Sequence, residues 1–136
     1  MNTKNILVLE DATLVRNLVH GRLEAAGYNV TSASMVSEAL LEIRAKMPDL
    51  IILDLGLEDE DPFAALTDGF AFLSMLRRSY PGSDTSVIIY SVSFSPEVEA
   101  RAKSMGVLDV IEKKRGIPAL LGAVKQAFQN REEKAA

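Results

Sequence analysis

Glu10, Asp11, Asp54, Ser91 and Lys113 lie far apart in the chain, yet each stands at or just past the end of a short apolar run. Ile6-Leu7-Val8-Leu9 leads into Glu10 and Asp11. Leu50-Ile51-Ile52-Leu53 ends on Asp54, Val87 to Tyr90 on Ser91, and Leu108 to Ile111 on Glu112 and Lys113. A carboxylate at the mouth of a buried strand is costly unless something pairs with it. If these ends meet, Glu10, Asp11 and Asp54 bring three negative charges and Lys113 one positive. Crowded carboxylates hold protons more tightly unless a cation intervenes. A hard divalent cation that keeps several waters and shares its carboxylates with phosphate oxygens suits the set, and Mg2+ fits best. Asp54 is then the candidate nucleophile for phosphoryl transfer. Lys113 would offset charge on the phosphoryl oxygens and Ser91 would donate a hydrogen bond to one of them.

The elements that must position these groups alternate along the chain. After the first apolar run, Val15, Leu18, Val19 and Leu23 share a helical face closed by Gly27. Tyr28 to Ser32 reads as a weaker strand. Ser34 is the expected N-cap of a helix carrying Val36, Ala39, Leu40, Ile43 and Met47, stopped by Pro48. After the third strand, residues 55 to 68 read as irregular, and a helix with Phe70, Leu73 and Leu76 inward follows. Ser95-Pro96 opens a weakly apolar helix (Val98, Ala102, Met105) that ends at Gly106. Pro118 opens the last helix, with Leu120, Leu121, Val124 and Phe128 inward. Five strands alternating with five helices predict an α/β fold, a doubly wound five-stranded parallel sheet covered on both faces. Sites in such sheets lie beyond the carboxyl ends of the strands. With strand order 2-1-3-4-5, strands one, three, four and five are neighbours, and Asp11, Asp54, Ser91 and Lys113 converge.

Composition agrees. The 136 residues suit one domain, read as 1–128 with a polar tail over 129–136. A net charge of −4 argues against nucleic acid and an anionic membrane surface as partners. There is no Cys, hence no thiolate metal site or thiol nucleophile, and a cytoplasmic location fits. No apolar run reaches the ~18 residues of a spanning helix, and the N-terminus does not read as a signal peptide.

Taken together, "ILVLED" at 6–11, "PDLIILDLGL" at 48–57, Asp68-Gly69 with Phe70, Leu73 and Leu76, "VIIYSV" at 87–92 and "GVLDVIEKK" at 106–114 resemble the receiver domain of two-component response regulators, of the single-domain chemotaxis type. The resemblance implies a flavodoxin-like three-layer sandwich. It implies Asp54 as phosphoacceptor, Asp11 as direct Mg2+ ligand, Glu10 acting mostly through water, and the Gly56 backbone carbonyl completing the metal site. It also implies Ser91 as switch hydroxyl and Lys113 as the phosphate-contacting lysine. The expected phosphodonor is a phosphohistidine on a sensor histidine kinase or histidine phosphotransfer protein. The receiver would be a stand-alone signalling domain and not an enzyme in its own right, though it assists its own phosphorylation and dephosphorylation. Its partner would be a downstream protein or a second copy, contacted through the fourth helix, fifth strand and fifth helix.

Departures from that pattern matter. Lys114 stands where a cis-linked Pro usually follows the lysine, which predicts a differently shaped loop after Lys113. Val110 replaces an aromatic switch residue, with Tyr90 or Phe94 as candidate substitutes. Glu58 replaces a usual Pro, and Asp68-Gly69 arrives late, implying an insertion of roughly seven residues within "EDEDPFAAL". Its acids Glu58 to Asp61 read as a solvated loop. Alternatively, Phe63, Ala65 and Leu66 form a helical turn that docks beside the site or a partner. Val110 and Lys114 keep open a second reading, a degenerate receiver acting as a phosphorylation-independent interaction module. A third, a Mg2+-dependent phosphohydrolase, usually needs a second acid two residues after the nucleophile, where this chain has Gly56. His20 and Arg77-Arg78 read as surface residues.

Overall fold

The computed structural model of the protein describes residues 3–56, 62–92 and 94–135, with backbone alone at 62–68 and 134–135. Its strands are β1 (Asn5–Leu9), β2 (Asn29–Ala33), β3 (Leu50–Leu53), β4 (Ser86–Ser91) and β5 (Asp109–Glu112). Between and after them run α1 (Thr13–Ala25), α2 (Val36–Ala45), α3 (Pro62–Ser79), α4 (Pro96–Ser104) and α5 (Ile117–Ala135). The strands form one parallel sheet in the order β2-β1-β3-β4-β5, as expected.

Period-two alternation sorts the strand residues between two apolar layers. Leu7, Leu9, Ile51, Leu53, Val87, Ile89 and Val110 pack with Ala39 and Ile43 of α2, Phe70, Phe72, Leu73 and Leu76 of α3, and Ala102 of α4. Ile6, Val8, Leu50, Ile52, Ile88, Tyr90 and Ile111 pack with Val19 and Leu23 of α1 and Leu120, Val124 and Phe128 of α5. Strands buried on both faces have no polar side to show, which is why they read as unbroken apolar runs.

Local chemistry sets the helix limits. Ser95 Oγ accepts from the Val98 N–H at 3.1 Å with Pro96 in the first turn, so α4 starts as its sequence predicts. Gly27 (φ 100°) and Gly106 (φ 83°) end α1 and α4 in the left-handed region. At α2 the cap differs from expectation. Met35 is the N-cap, and Ser34 instead binds Glu38 Oε1 through both its N–H (2.9 Å) and its Oγ (2.5 Å).

Other expectations shift as well. Helix α3 begins at Pro62, inside the stretch read as irregular, while residues 57–61 and the side chains of Phe63, Ala65 and Leu66 lie outside the described residues. Residues 129–135, expected as a polar tail, continue α5, and Arg131 Nη1 donates to the Asp49 carbonyl at 2.8 Å. Leu18 is 49% exposed, not inward; α1 buries Val19 and Leu23 and packs Val15 against the same layer. Arg77 is not a solvated helix end. It donates to the carbonyls of Thr85 (3.1 Å), Met105 (3.3 Å) and Gly106 (3.1 Å), tying α3 to the start of β4 and the turn after α4. Such carbonyls would otherwise lack donors. Arg78 is exposed, as expected.

Gly69 lets α3 lie directly against the chain that follows β3. A Cβ there would sit 2.7 Å from Leu55 Cα and 2.8 Å from its Cδ2, and Leu55 is fully buried. Helix propensity alone would favour Gly69→Ala by about 1 kcal/mol. Overpacking against backbone costs more, so the variant should lose about 1–3 kcal/mol in urea denaturation. A gain in stability would show that the helix does not approach Leu55 this closely.

Candidate functional site

Parallel strands in register bring the four predicted strand ends to one rim. Leu9 lies opposite Leu53, Leu53 opposite Ile89, and Ser91 opposite Glu112. The ladder continues past the strands. Glu10 N–H donates to the Ala33 carbonyl and Asp54 N–H to the Leu9 carbonyl, each at 3.1 Å. These bonds hold both acids at the sheet edge beneath its covering helices, and Glu10 (3% exposed) and Asp54 (4%) are as buried as core residues.

Their partner is Lys113. Its Nζ lies 2.7 Å from Glu10 Oε1 and 3.3 Å from Asp54 Oδ2. The remaining carboxylate oxygens are also used. Glu10 Oε2 accepts from Ala12 N–H at 3.2 Å, and Asp54 Oδ1 from Gly56 N–H at 3.0 Å. Asp11 is half-buried beside them, and Glu10, Asp11 and Asp54 each offer an oxygen within 4.8 Å of the others'. Ser91 is 1% exposed at the end of β4, between the strands that deliver Asp54 and Lys113. All five predicted side chains thus occur at one rim. Gly56 is there too, its N–H on Asp54.

Three acids against one ammonium leave the rim electronegative. Burial, then the neighbouring Asp54 charge, pushes the Glu10 carboxyl up to about 7 against the opposing pull of Lys113. For Lys113, burial works against the charged form. The bond to Glu10 and the charges of Asp54 and Glu10 outweigh it, so the ammonium is held above its ordinary range. The two directions agree. One ammonium cannot neutralise two buried carboxylates, so Glu10 holds its proton more tightly than a free carboxyl does. A set of hard oxygen donors with this excess charge fits a hard divalent cation.

The departures resolve unevenly. The Lys113–Lys114 bond is trans, and Lys113–Arg115 form a single 3-10 turn after β5 that still aims Lys113 at the rim. Lys114 points out, 83% exposed, and pairs with Glu112 at 3.0 Å. Val110 is buried on the α2–α3–α4 side of the sheet, whereas Tyr90 is buried on the α1–α5 side. Tyr90 therefore does not occupy the layer in which Val110 leaves a ring missing. Phe94 is 40% exposed beyond β4. His20, expected at the surface, is half-buried, its Nδ1 2.5 Å from Ser32 Oγ and its Nε2 3.4 Å from Glu24 Oε1. Arg16, which matches no motif in the sequence, places its guanidinium on the backbone of Glu10 and Asp11. Ala12, an N-cap residue with no polar side chain, was the available signal.

Comparison with known proteins matches this geometry. The family model of the response regulator receiver domain covers residues 6–125. The chain is 33% identical over 125 residues to the KDP operon transcriptional regulatory protein KdpE of Escherichia coli (strain K12), covering 92% of this chain and 51% of that protein. It is 30% identical over 125 residues to the nitrogen assimilation regulatory protein NtrX of Azorhizobium caulinodans, covering 92% of this chain and 26% of that protein. It thus spans about half or less of the length of these relatives. In fold it is similar to the signal receiver domain of a putative LuxO repressor protein from Vibrio parahaemolyticus, with a TM-score of 0.83, 23% identity, and 98% of this chain and 96% of that one covered. With its sheet order, its acidic rim and the match across nearly its whole length, the chain belongs to the response regulator receiver domains of two-component systems.

Proposed function

We propose that this receiver accepts a phosphoryl group on Asp54 from a phosphohistidine of a sensor histidine kinase or histidine phosphotransfer protein, and signals through protein–protein contacts. The observation that carries this reading is the buried Asp54 carboxylate, with an ammonium 3.3 Å away and two further carboxylates within 4.8 Å. Glu10, Asp11, Asp54 and the Gly56 carbonyl would hold Mg2+, which when bound supplies positive charge against the carboxylates and the transferring phosphoryl oxygens. An Asp54 oxygen forms the new bond to phosphorus as the donor's phosphorus–nitrogen bond breaks, and the imidazole leaves with the bonding pair. Lys113 stays anchored on Glu10 by its shorter contact, so its longer arm to Asp54 is the one a phosphoryl oxygen takes over. Ser91 donates to another phosphoryl oxygen. The outgoing surface is read as α4–β5–α5, on which a downstream protein or a second copy would dock. β5 is an outer strand of the sheet, and Leu108 beside it is 47% exposed.

With Mg2+ and a small acyl phosphate donor, intact-protein mass spectrometry should find one phosphoryl adduct. It should be absent in Asp54→Asn and when EDTA replaces Mg2+. No adduct on the wild type would overturn the proposal in favour of a phosphorylation-independent interaction module.

A side chain at Gly56 would start 3.7 Å from Asp54 Oδ1, the one neighbour within 4 Å among the described residues, and so would stand directly beside the phosphoacceptor. Gly56→Asn should therefore slow adduct hydrolysis several-fold by occupying the path of an attacking water. An unchanged decay rate would discard this account of the adduct's lifetime.

In EDTA the raised Glu10 carboxyl makes stability fall with pH. The folded chain keeps a proton up to about pH 7 that the unfolded chain releases near 4.5. This contribution is complete below 4.5 and is lost as pH climbs to about 7. Glu10→Gln cannot ionise, so its melting temperature relative to wild type should rise from about pH 5 to about pH 8. A gap that stays constant across that interval would contradict the assignment.

A further inference from the structure

The chain between the end of β1 at Leu9 and the start of α1 at Thr13 belongs to neither ladder, so its carbonyls need other donors. Ala12, the N-cap of α1, brings no side chain that could brace this turn. Arg16 supplies what is missing. Its Nη1 donates to the Glu10 carbonyl at 2.9 Å and the Asp11 carbonyl at 3.2 Å, and its backbone N–H to the Ala12 carbonyl at 2.8 Å. The last is the first backbone bond of α1 itself, so the guanidinium serves the two carbonyls before it, those of Glu10 and Asp11. A further contact, Nη2 to Thr13 Oγ1 at 3.5 Å, is marginal.

Among the described residues the Arg16 guanidinium makes no ion pair. Glu38 of α2 is hydrogen-bonded by Ser34 and feels the Arg16 charge only at longer range, as a minor influence. The half-buried guanidinium instead sits behind the peptides whose side chains form two corners of the carboxylate triangle. A planar fork with several donors suits this task better than a point charge does.

We propose that Arg16 is a positioning residue of the acidic site, holding the Glu10–Ala12 turn so that the Glu10 and Asp11 carboxylates stay aimed at Asp54 and able to share a divalent cation. The inference rests on the phosphoacceptor reading above and adds a residue outside the carboxylate set. Groups that orient metal ligands typically cost 10–100-fold in affinity when removed.

The test compares wild type, Arg16→Ala, Arg16→Lys and Arg22→Ala, the last an exposed arginine of the same helix. Isothermal titration with Mg2+ should show Arg16→Ala weaker by about tenfold, Arg16→Lys intermediate, and Arg22→Ala like wild type. Amide exchange in EDTA, followed by NMR, should be faster at residues 10–12 in Arg16→Ala than in wild type, with the sheet amides unchanged. Equal Mg2+ affinity for wild type and Arg16→Ala, or an equal loss in Arg22→Ala, would overturn the positioning role. So would unchanged exchange at residues 10–12. A wild type that binds no Mg2+ would sink the phosphoacceptor reading instead. The exchange comparison, made without metal, would still decide whether Arg16 braces the turn.

Discussion

One ammonium shared by two buried carboxylates governs the rim of this sheet. Lys113 Nζ reaches Glu10 at 2.7 Å and Asp54 at 3.3 Å, and the two acids are 3% and 4% exposed. Removing such charges from water is costly, and the attraction within the set repays this only when the geometry is good. That geometry cannot come from the loops alone. It comes from four adjacent parallel strands, β1, β3, β4 and β5, held in a fixed register, with the Asp54 and Glu10 amides hydrogen-bonded into the ladder beyond the last strand residues. The apolar layers on both faces keep the sheet stiff enough to tolerate an unbalanced charge at its edge.

The same constraint explains how the chain bears its departures from the family pattern. Lys114 in place of Pro leaves a trans bond and a single 3-10 turn, and Lys113 still arrives because β5 ends one residue before it, in register with Ser91. Val110 is a different matter. Strand alternation puts it in the layer of α2, α3 and α4, and the ring of Tyr90 belongs to the layer of α1 and α5. Any readout that used an aromatic in the Val110 layer would need another element to provide it. Fold similarity is silent here, since one fold carries many functions and the chemistry resides in the site.

The relatives frame the same point. KdpE of Escherichia coli is matched over 51% of its length and NtrX of Azorhizobium caulinodans over 26%, so the likeness is to one portion of each. What this chain shares with them is the receiver, and the reading of its function rests on the residues at its own sheet edge.

Much of this was legible from the sequence by itself. Unbroken apolar runs such as Leu50–Leu53 can be satisfied only by a sheet covered on both faces, and helices between them dictate parallel strands. Polar groups at the ends of those runs, Asp54 and Lys113 among them, must then gather at one rim. Helix stops at Gly27 and Gly106 and the Ser95 cap followed from local backbone chemistry. Contacts between elements were not legible, because no local period encodes them. Arg77 reads in sequence as a solvated helix end, yet it finds three carbonyls of the β4 and α4 termini. Residues 129–135 read as a polar tail, yet they prolong α5 far enough for Arg131 to reach Asp49. Arg16 carried no motif, and its value arises only where β1 and α1 leave carbonyls unpaired. Composition and periodicity determined which residues lie inside, and where the acids emerge. Only the packed structure decided which long cation reaches which carbonyl, since an arginine side chain spans several residues' worth of backbone and its partner is set by whatever lies within that reach.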